Sequence, residues 1–178
     1  MQTKSSWVRE IREGNEDAFR QLFDRYCRPL LRFTGRYVRD AAVAEDIVQD
    51  VFLAVWGNRT QLDPSLNIKT YLYTAARNQA LKRLRHTEVE RRNTEQAGSR
   101  TPSPSTPEDE RREREVADAV HLAIECLPEK CRLIFCMSRY DHLTYAEISK
   151  IQDISIKTVE TQMGRALRFL RDRLAPLR

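Results

Sequence analysis

The chain has 178 residues, of which 32% are charged and 40% hydrophobic, with a formal net charge of +5 and only 5 glycines. That length suits one ordinary domain or two small ones, and the composition is that of a soluble helical protein. No apolar run is long enough to cross a bilayer. The opening MQTKSSWVREIREGNEDAF lacks the apolar core of a signal peptide and carries acids early, so a cytoplasmic protein without membrane insertion is expected.

In chain order, Asn15 or Gly14 can open a helix over about Glu16 to Val38. Its apolar positions Phe19, Leu22, Phe23, Tyr26, Leu30, Phe33 and Tyr37 recur at spacings of three and four, the period of one buried face. Pro29 lies inside it and predicts a kink or a break. A second helix, about Ala42 to Trp56, turns Ile47, Val48, Val51, Phe52 and Val55 inward and shows Asp46, Gln49, Asp50 and Leu53 on the opposite face. The segment GNRTQLDPSLN (57–67) reads as a loop from its Gly, Asn and Pro. A third helix, about Ile68 to His86, carries Leu72, Ala75, Ala76 and Ala80 on one side and Thr74, Asn78, Lys82 and Arg85 along another.

The stretch 87–115 (TEVERRNTEQAGSRTPSPSTPEDERRERE) has no large apolar residue after Val89 and holds Pro102, Pro104 and Pro107 among Ser, Thr and charges. It cannot bury enough apolar surface to offset its ordering entropy, and it reads as a flexible linker between two helical units, 1–86 and 116–178. The second unit starts near Arg112 or Val116 and runs to about Cys126 or Leu127. Pro128 breaks that helix and suits the first turn of the next, about Glu129 to Tyr140, whose Leu133, Ile134, Phe135 and Met137 make it central. Thr144, with Glu147 three residues on, forms a capping box for a short helix ending near Ile151. Ser155 caps the last helix, with Val159, Met163, Ala166, Leu167, Leu170 and Leu174 inward. No strand-like alternation occurs, and the fold class is all-α.

Charge is unevenly placed. Residues 1–86 hold 15 Lys/Arg and 10 Asp/Glu, whereas residues 87–115 hold 6 and 8. Between Asp63 and Glu88 no acid occurs, while Lys69, Arg77, Lys82, Arg83 and Arg85 do; from Thr161 onward Arg165, Arg168, Arg171, Arg173 and Arg178 meet a single acid, Asp172. Two basic segments on a near-balanced background point to two anion-facing surfaces.

A short helix, a three-residue turn and a capped second helix over 144–166 make a helix-turn-helix. Ile148, Ile151, Ile154 and Val159 pack the two helices across each other, and Asp153 sits in the turn. The exposed start of the last helix offers Ser155, Lys157, Thr158, Thr161, Gln162 and Arg165, with Arg168 further along, side chains suited to base edges and phosphates of duplex DNA.

The segments AFRQLFDRYCRPLLRFTGRYVRDAAVAEDIVQDVFLAVW (18–56) and IKTYLYTAARNQALKRLRH (68–86) closely resemble bacterial sigma factors of the extracytoplasmic-function (ECF) group, within the sigma-70 family of RNA polymerase. EISKIQDISIKTVETQMGRAL (147–167) resembles their second DNA-binding domain. The resemblance implies an initiation subunit of RNA polymerase that needs −35 and −10 promoter elements. The 1–86 unit would be sigma domain 2, binding core RNA polymerase through Asp46, Gln49, Asp50 and Leu53. The helix from Ile68 would read and melt the −10 region, with Lys69, Tyr71, Arg77, Asn78, Lys82 and Arg85 on the non-template single strand. Tyr71 and Tyr73 have the rings to stack on an unpaired base, core packing being the competing reading for Tyr71. The loop from Gln61 to Asn67 would receive a flipped-out base. The 116–178 unit would be sigma domain 4, binding duplex DNA at −35. Glu160 either accepts from a cytosine or faces water. An anti-sigma factor is a further implied partner.

No Gly-rich phosphate loop, paired histidines at ligand spacing or supported Ser/His/Asp grouping occurs, so the protein is not expected to be an enzyme, and phosphodiester chemistry would belong to the polymerase. Cys27, Cys126, Cys131 and Cys136 form no CxxC pair. They read as buried, reduced thiols rather than metal ligands, and no cofactor is expected. Two other readings compete: a helix-turn-helix regulator that never joins polymerase, and a helical adaptor that binds only proteins. The adaptor leaves both basic segments unexplained.

Overall fold

The computed structural model describes residues 4–91 and 118–175, with side chains placed for 7–86 and 118–175. Every regular element among them is helical: α1 (Lys4–Arg12), α2 (Glu16–Thr34), α3 (Ala41–Gly57), a 3-10 turn (Arg59–Gln61), α4 (Ile68–Arg91), α5 (118–125), α6 (Glu129–Arg139), α7 (Tyr145–Gln152) and α8 (Ile156–Leu174). The chain divides into two compact units, α1–α4 in the first and α5, α6, α8 and most of α7 in the second. Of the expected linker, 87–115, residues 87–91 instead continue α4, and the rest lies outside the described residues, as do the proposed starts at Arg112 or Val116.

In the first unit α2 packs on α1, α3 and α4, and α3 also packs on α4. Asn15 caps α2 by accepting from the Ala18 N–H at 3.1 Å, and Gly14 before it takes φ +85°, a backbone conformation open chiefly to glycine. Asp40 caps α3 by accepting from the Ala42 and Val43 N–H groups at 2.8 and 3.4 Å. Pro29 does not break α2, which is continuous from Glu16 to Thr34. The helix stops four residues short of Val38, at a turn where the Tyr37 and Val38 N–H groups both reach the Thr34 carbonyl. Leu22, Leu30, Phe33, Ile47, Val55, Leu72 and Ala80 have no more than 1% of their surface exposed. Phe23 is 41% exposed, yet its ring lies 4.9 Å from that of Phe52, so it rims the core rather than filling it.

Helix α1 has no counterpart in the sequence reading. Val8 and Ile11 are fully buried and the Trp7 ring meets Tyr26 edge-on at 6.2 Å. The apolar positions 7, 8 and 11 carry the same periodicity used for the longer helices, but over too short a stretch to stand out.

In the second unit α6 packs on α8. Ile134, Phe135, Cys136 and Met137 are buried on α6, as are Val159, Met163, Ala166 and Leu170 on α8. Leu167, expected inward, is 37% exposed, because the buried stripe steps from Ala166 to Leu170 and passes beside it. The capping box forms as expected: the Thr144 N–H donates to Glu147 Oε2 at 2.9 Å and the Glu147 N–H donates to Thr144 Oγ1 at 3.2 Å. Thr144→Ala is expected to cost about 1 kcal/mol in chemical unfolding while leaving the α8 cap intact.

The cysteines are all free. Cys131 and Cys136 are buried, but Cys126 is exposed and Cys27 only half-buried, which corrects the reading of four buried thiols. Burial pushes the Cys27 thiol above its ordinary value. No group of three or more His, Cys, Asp or Glu able to hold a metal ion exists among the described residues, and none of their helices is long and apolar enough to cross a membrane.

Candidate nucleic-acid interface

Three surfaces collect the residues singled out from the sequence. The first is the outer face of α3. Asp46, Gln49, Asp50 and Leu53 are all exposed, Leu53 at 61%. At 3.6 residues per turn they fall within about 100° of arc, opposite the buried Ile47, Val48, Val51, Phe52 and Val55. A large leucine held out of the core among two carboxylates and an amide is a ready site for an apolar and basic partner surface.

The second surface is α4. Asn67 starts the helix by accepting from the Thr70 N–H at 3.2 Å. The buried side of α4 is Ile68, Leu72, Tyr73, Ala76 and Ala80. At 3.6 residues per turn Tyr71, Asn78, Lys82 and Arg85 share a strip about 60° wide that points the other way. Of these Asn78, Lys82 and Arg85 are exposed and Tyr71 is half-buried. Arg77, half-buried, falls about 80° outside that strip, and Lys69, also half-buried, falls on the opposite side of the helix, in the direction of Ala76 and Ala80. Tyr73 is not free to stack on a base. It is 1% exposed, with its ring 4.9 Å from Phe33 at 66°, a core pair formed because position 73 falls on the same side as Ala76 and Ala80.

The loop before α4 is a folded device. Arg59 stacks over the Trp56 ring at 4.6 Å and donates to the Trp56 carbonyl at 2.9 Å. Asp63 Oδ1 accepts from both the N–H and the hydroxyl of Ser65, each at 2.8 Å. Those two bonds from Ser65, helped by the Arg12 charge, hold the Asp63 carboxyl below the usual carboxylate range.

The third surface is the helix-turn-helix. In the turn, Asp153 takes φ +54°, the left-handed conformation that Asp tolerates better than most residues. The Ile154 N–H donates to the Ser149 carbonyl at 3.1 Å, and the Ser149 hydroxyl donates to the Ile154 carbonyl at 2.6 Å. Ile148, Ile151 and Val159 are buried; Ile154, expected beside them, is half-buried and serves the turn through its backbone. Ser155 Oγ accepts from the Thr158 N–H at 3.0 Å and lies 2.8 Å from Thr158 Oγ1, leaving α8 with a finished, outward-pointing first turn.

On α8, Lys157, Thr158, Thr161, Arg165 and Arg168 are exposed and fall within about 100° of arc. The Thr161 hydroxyl donates to the Lys157 carbonyl at 2.8 Å, which aims its lone pairs outward. Gln162 stands apart from this group. It is half-buried and its Oε1 accepts from the Cys131 Sγ at 3.0 Å, so its carbonyl is used within the unit. Glu160, exposed, falls about 60° outside the arc on the far side.

The arrangement is two basic helical surfaces and one acidic-apolar face. Residues 22–89 match the family model for Sigma-70 region 2, and residues 117–170 match that for Sigma-70, region 4. The ECF RNA polymerase sigma factor SigW of Bacillus subtilis is 27% identical over 96% of this chain and 96% of its own length. The ECF RNA polymerase sigma factor SigK of Mycobacterium ulcerans is 29% identical over 93% of this chain and 90% of its own. Among solved structures, the sigma factor RpoE of Bartonella quintana, in complex with the anti-sigma factor NepR, has the same fold with a TM-score of 0.65 at 20% identity, covering 88% of this chain and 96% of that one. CnrH, in complex with the cytosolic domain of CnrY, gives the same TM-score and identity over 97% of both chains. Matched in order to both sigma regions and aligned almost end to end with these relatives, the chain belongs to the ECF group of the sigma-70 family, the RNA polymerase sigma factors that direct promoter-specific transcription.

Proposed function

We propose that the three surfaces divide the work of initiation, with residues 1–86 acting as the core-binding and −10 domain, 87–115 as linker and 116–178 as the −35 domain. The α3 face of Asp46, Gln49, Asp50 and Leu53 docks on core polymerase. The α8 arc of Lys157, Thr158, Thr161, Arg165 and Arg168, with Ser155 at its start, enters the major groove at −35, where long basic side chains reach both phosphates and guanine edges. Gln162 contributes through its amide N–H groups only. The α4 strip holds the melted non-template strand: Lys82 and Arg85 on phosphates, Asn78 on a base edge and Tyr71 stacked on an unpaired base, with Arg77 supplying charge from beside the strip and Lys69 from the first turn of the helix. The observation that carries this reading is the outward strip on α4, because Asn78, Lys82 and Arg85 are exposed there in line with a half-buried Tyr71.

The chain supplies recognition and strand separation, and the polymerase supplies the phosphodiester chemistry, so no catalytic group or cofactor is assigned to it. It works in the cytoplasm, and an anti-sigma protein, as seen on RpoE, is its proposed inhibitor. Multi-round transcription from genomic DNA of the source bacterium, with core polymerase and with or without this protein, tests the reading. New transcript starts sharing −35 and −10 sequences support it. No new starts from an active core would favour a helix-turn-helix regulator that acts without polymerase.

The two tyrosines separate packing from function. Tyr73→Ala is expected to lose about 3–5 kcal/mol of stability by emptying a core site. Tyr71→Ala is expected to leave the melting temperature nearly unchanged and to weaken promoter opening by about 1–3 kcal/mol, the worth of one stacked base. Permanganate footprinting of the −10 region beside a thermal melt reads both.

A further inference from the structure

We propose that Arg12, on α1, is a positioning residue for −10 recognition: it fixes the 61–67 loop in the shape that accepts a base. The inference rests on the role that the sigma-factor resemblance implies for that loop and adds a residue from outside both matched family regions.

Helix α1 packs against α2 and against the 3-10 turn at Arg59–Gln61. From its last residue, the Arg12 Nη1 donates to the Leu62 carbonyl at 2.6 Å, across 50 positions of sequence. Leu62 closes the turn, with its N–H on the Arg59 carbonyl at 3.2 Å and only 6% of its surface exposed. The loop is thus fixed at one end by Arg59 on Trp56 and at the other by Asn67 at the start of α4. Between them, Arg12 supplies the tie that reaches the loop backbone from a separate helix. The same guanidinium's charge helps hold the Asp63 carboxyl below the usual carboxylate range, and the two bonds that this carboxylate accepts from Ser65 shape the next residues of the loop.

A cleft of about 480 Å³ opens at this junction, lined by Arg9, Arg12, Glu13, Thr60 and Pro64. Arg12 thus both lines the cleft and holds the loop backbone at Leu62. A buried carbonyl that loses a charged donor must find water or move. Movement shifts Leu62 and, with it, the loop residues assigned to the extruded base, and a water in place of the guanidinium holds the carbonyl less firmly. Placement errors of this kind cost selectivity more than they cost folding, because a reading pocket discriminates by the geometry of a few bonds.

The test uses full-length protein with core polymerase on a promoter library randomised across the −10 element. The base preference at each position is read from the transcripts for the natural protein, Arg12→Ala and Arg12→Lys, alongside core affinity and melting temperature. Arg12→Ala is expected to flatten the preference about tenfold at one position, or two adjacent ones, and to leave the −35 preference and core affinity unchanged. Arg12→Lys, which retains a charged donor, is expected to restore most of it. An unaltered preference in Arg12→Ala would overturn the proposal. So would an equal loss at all positions accompanied by a lower melting temperature, which is the signature of a general structural role. If the natural protein yields no transcripts at all, the sigma reading of the loop fails first, and that result is distinct from either.

Discussion

Replacing Lys157 and Arg165 together with alanine is expected to weaken holoenzyme binding to duplex promoter DNA about a hundredfold, each contact contributing about a factor of ten. The reasoning starts from the shape of α8. Both residues are exposed, two helical turns apart, on the arc that Thr161 and Arg168 share. A groove-bound helix presents such an arc to base edges and phosphates together, so the two changes remove charge and reach at once. If both side chains neutralise phosphates, the slope of log affinity against log salt falls by about 2. If Arg165 instead grips a guanine, its share of the loss is insensitive to salt and disappears when the −35 sequence is scrambled. Fluorescence anisotropy with holoenzyme at several salt concentrations, on intact and scrambled −35 duplexes, separates these cases. Surface changes of this kind leave stability within about 0.5 kcal/mol, so an unchanged melting temperature is part of the expected result. Affinity within twofold of the natural protein would remove α8 from the −35 assignment.

The same helix shows what a sequence conveys and what it withholds. The buried stripe Val159, Met163, Ala166, Leu170 repeats at four and three, and such a period survives any detail of packing. Local hydrogen-bonding chemistry was equally legible: Ser155 and Thr144 with Glu147 cap their helices as their types and spacing require. Asp153, placed in the turn by its position between the two helices, takes a left-handed backbone there.

Residues at the edge of a face were less legible. Leu167 and Gln162 sit beside the buried stripe, where a few degrees of rotation decide between core and water. Tyr71 and Tyr73 are two residues apart, about 200° around the helix; position 73 falls with Ala76 and Ala80, and its ring contact with Phe33 in another helix shows that Tyr73 belongs to the core. The role of Arg12 was hidden for a different reason. Its partner is the backbone of Leu62, 50 residues away, and a bond to a carbonyl leaves no mark in side-chain patterning. The 61–67 loop was recognised as a loop by composition, while its internal order, set by Asp63 accepting twice from Ser65, depends on geometry that residue types permit but do not dictate.

The face of α3 leads to the second large effect. Leu53→Asp combined with Asp50→Lys is expected to weaken association with core polymerase at least thirtyfold, because a central apolar anchor and a flanking charge are lost together, each about 1–2 kcal/mol or more at an interface centre. The folded unit gives this face no structural task. Leu53 is 61% exposed, and the core side of α3 is complete without it, through Ile47, Val48, Val51, Phe52 and Val55. Folding therefore does not require a leucine here, and an exposed large apolar residue between carboxylates carries a cost in solubility that a partner surface explains. The double variant should consequently melt at the same temperature as the natural protein or slightly above it. Competition binding with fluorescently labelled natural protein on core polymerase gives the affinity, and the salt series gives the charge contribution. Asp50→Lys alone should act mainly on the association rate and lose its effect as salt rises, whereas Leu53→Asp alone should act on dissociation at all salt concentrations. Normal core affinity in the double variant would leave Leu53 unexplained by docking to polymerase and would move the interface off α3.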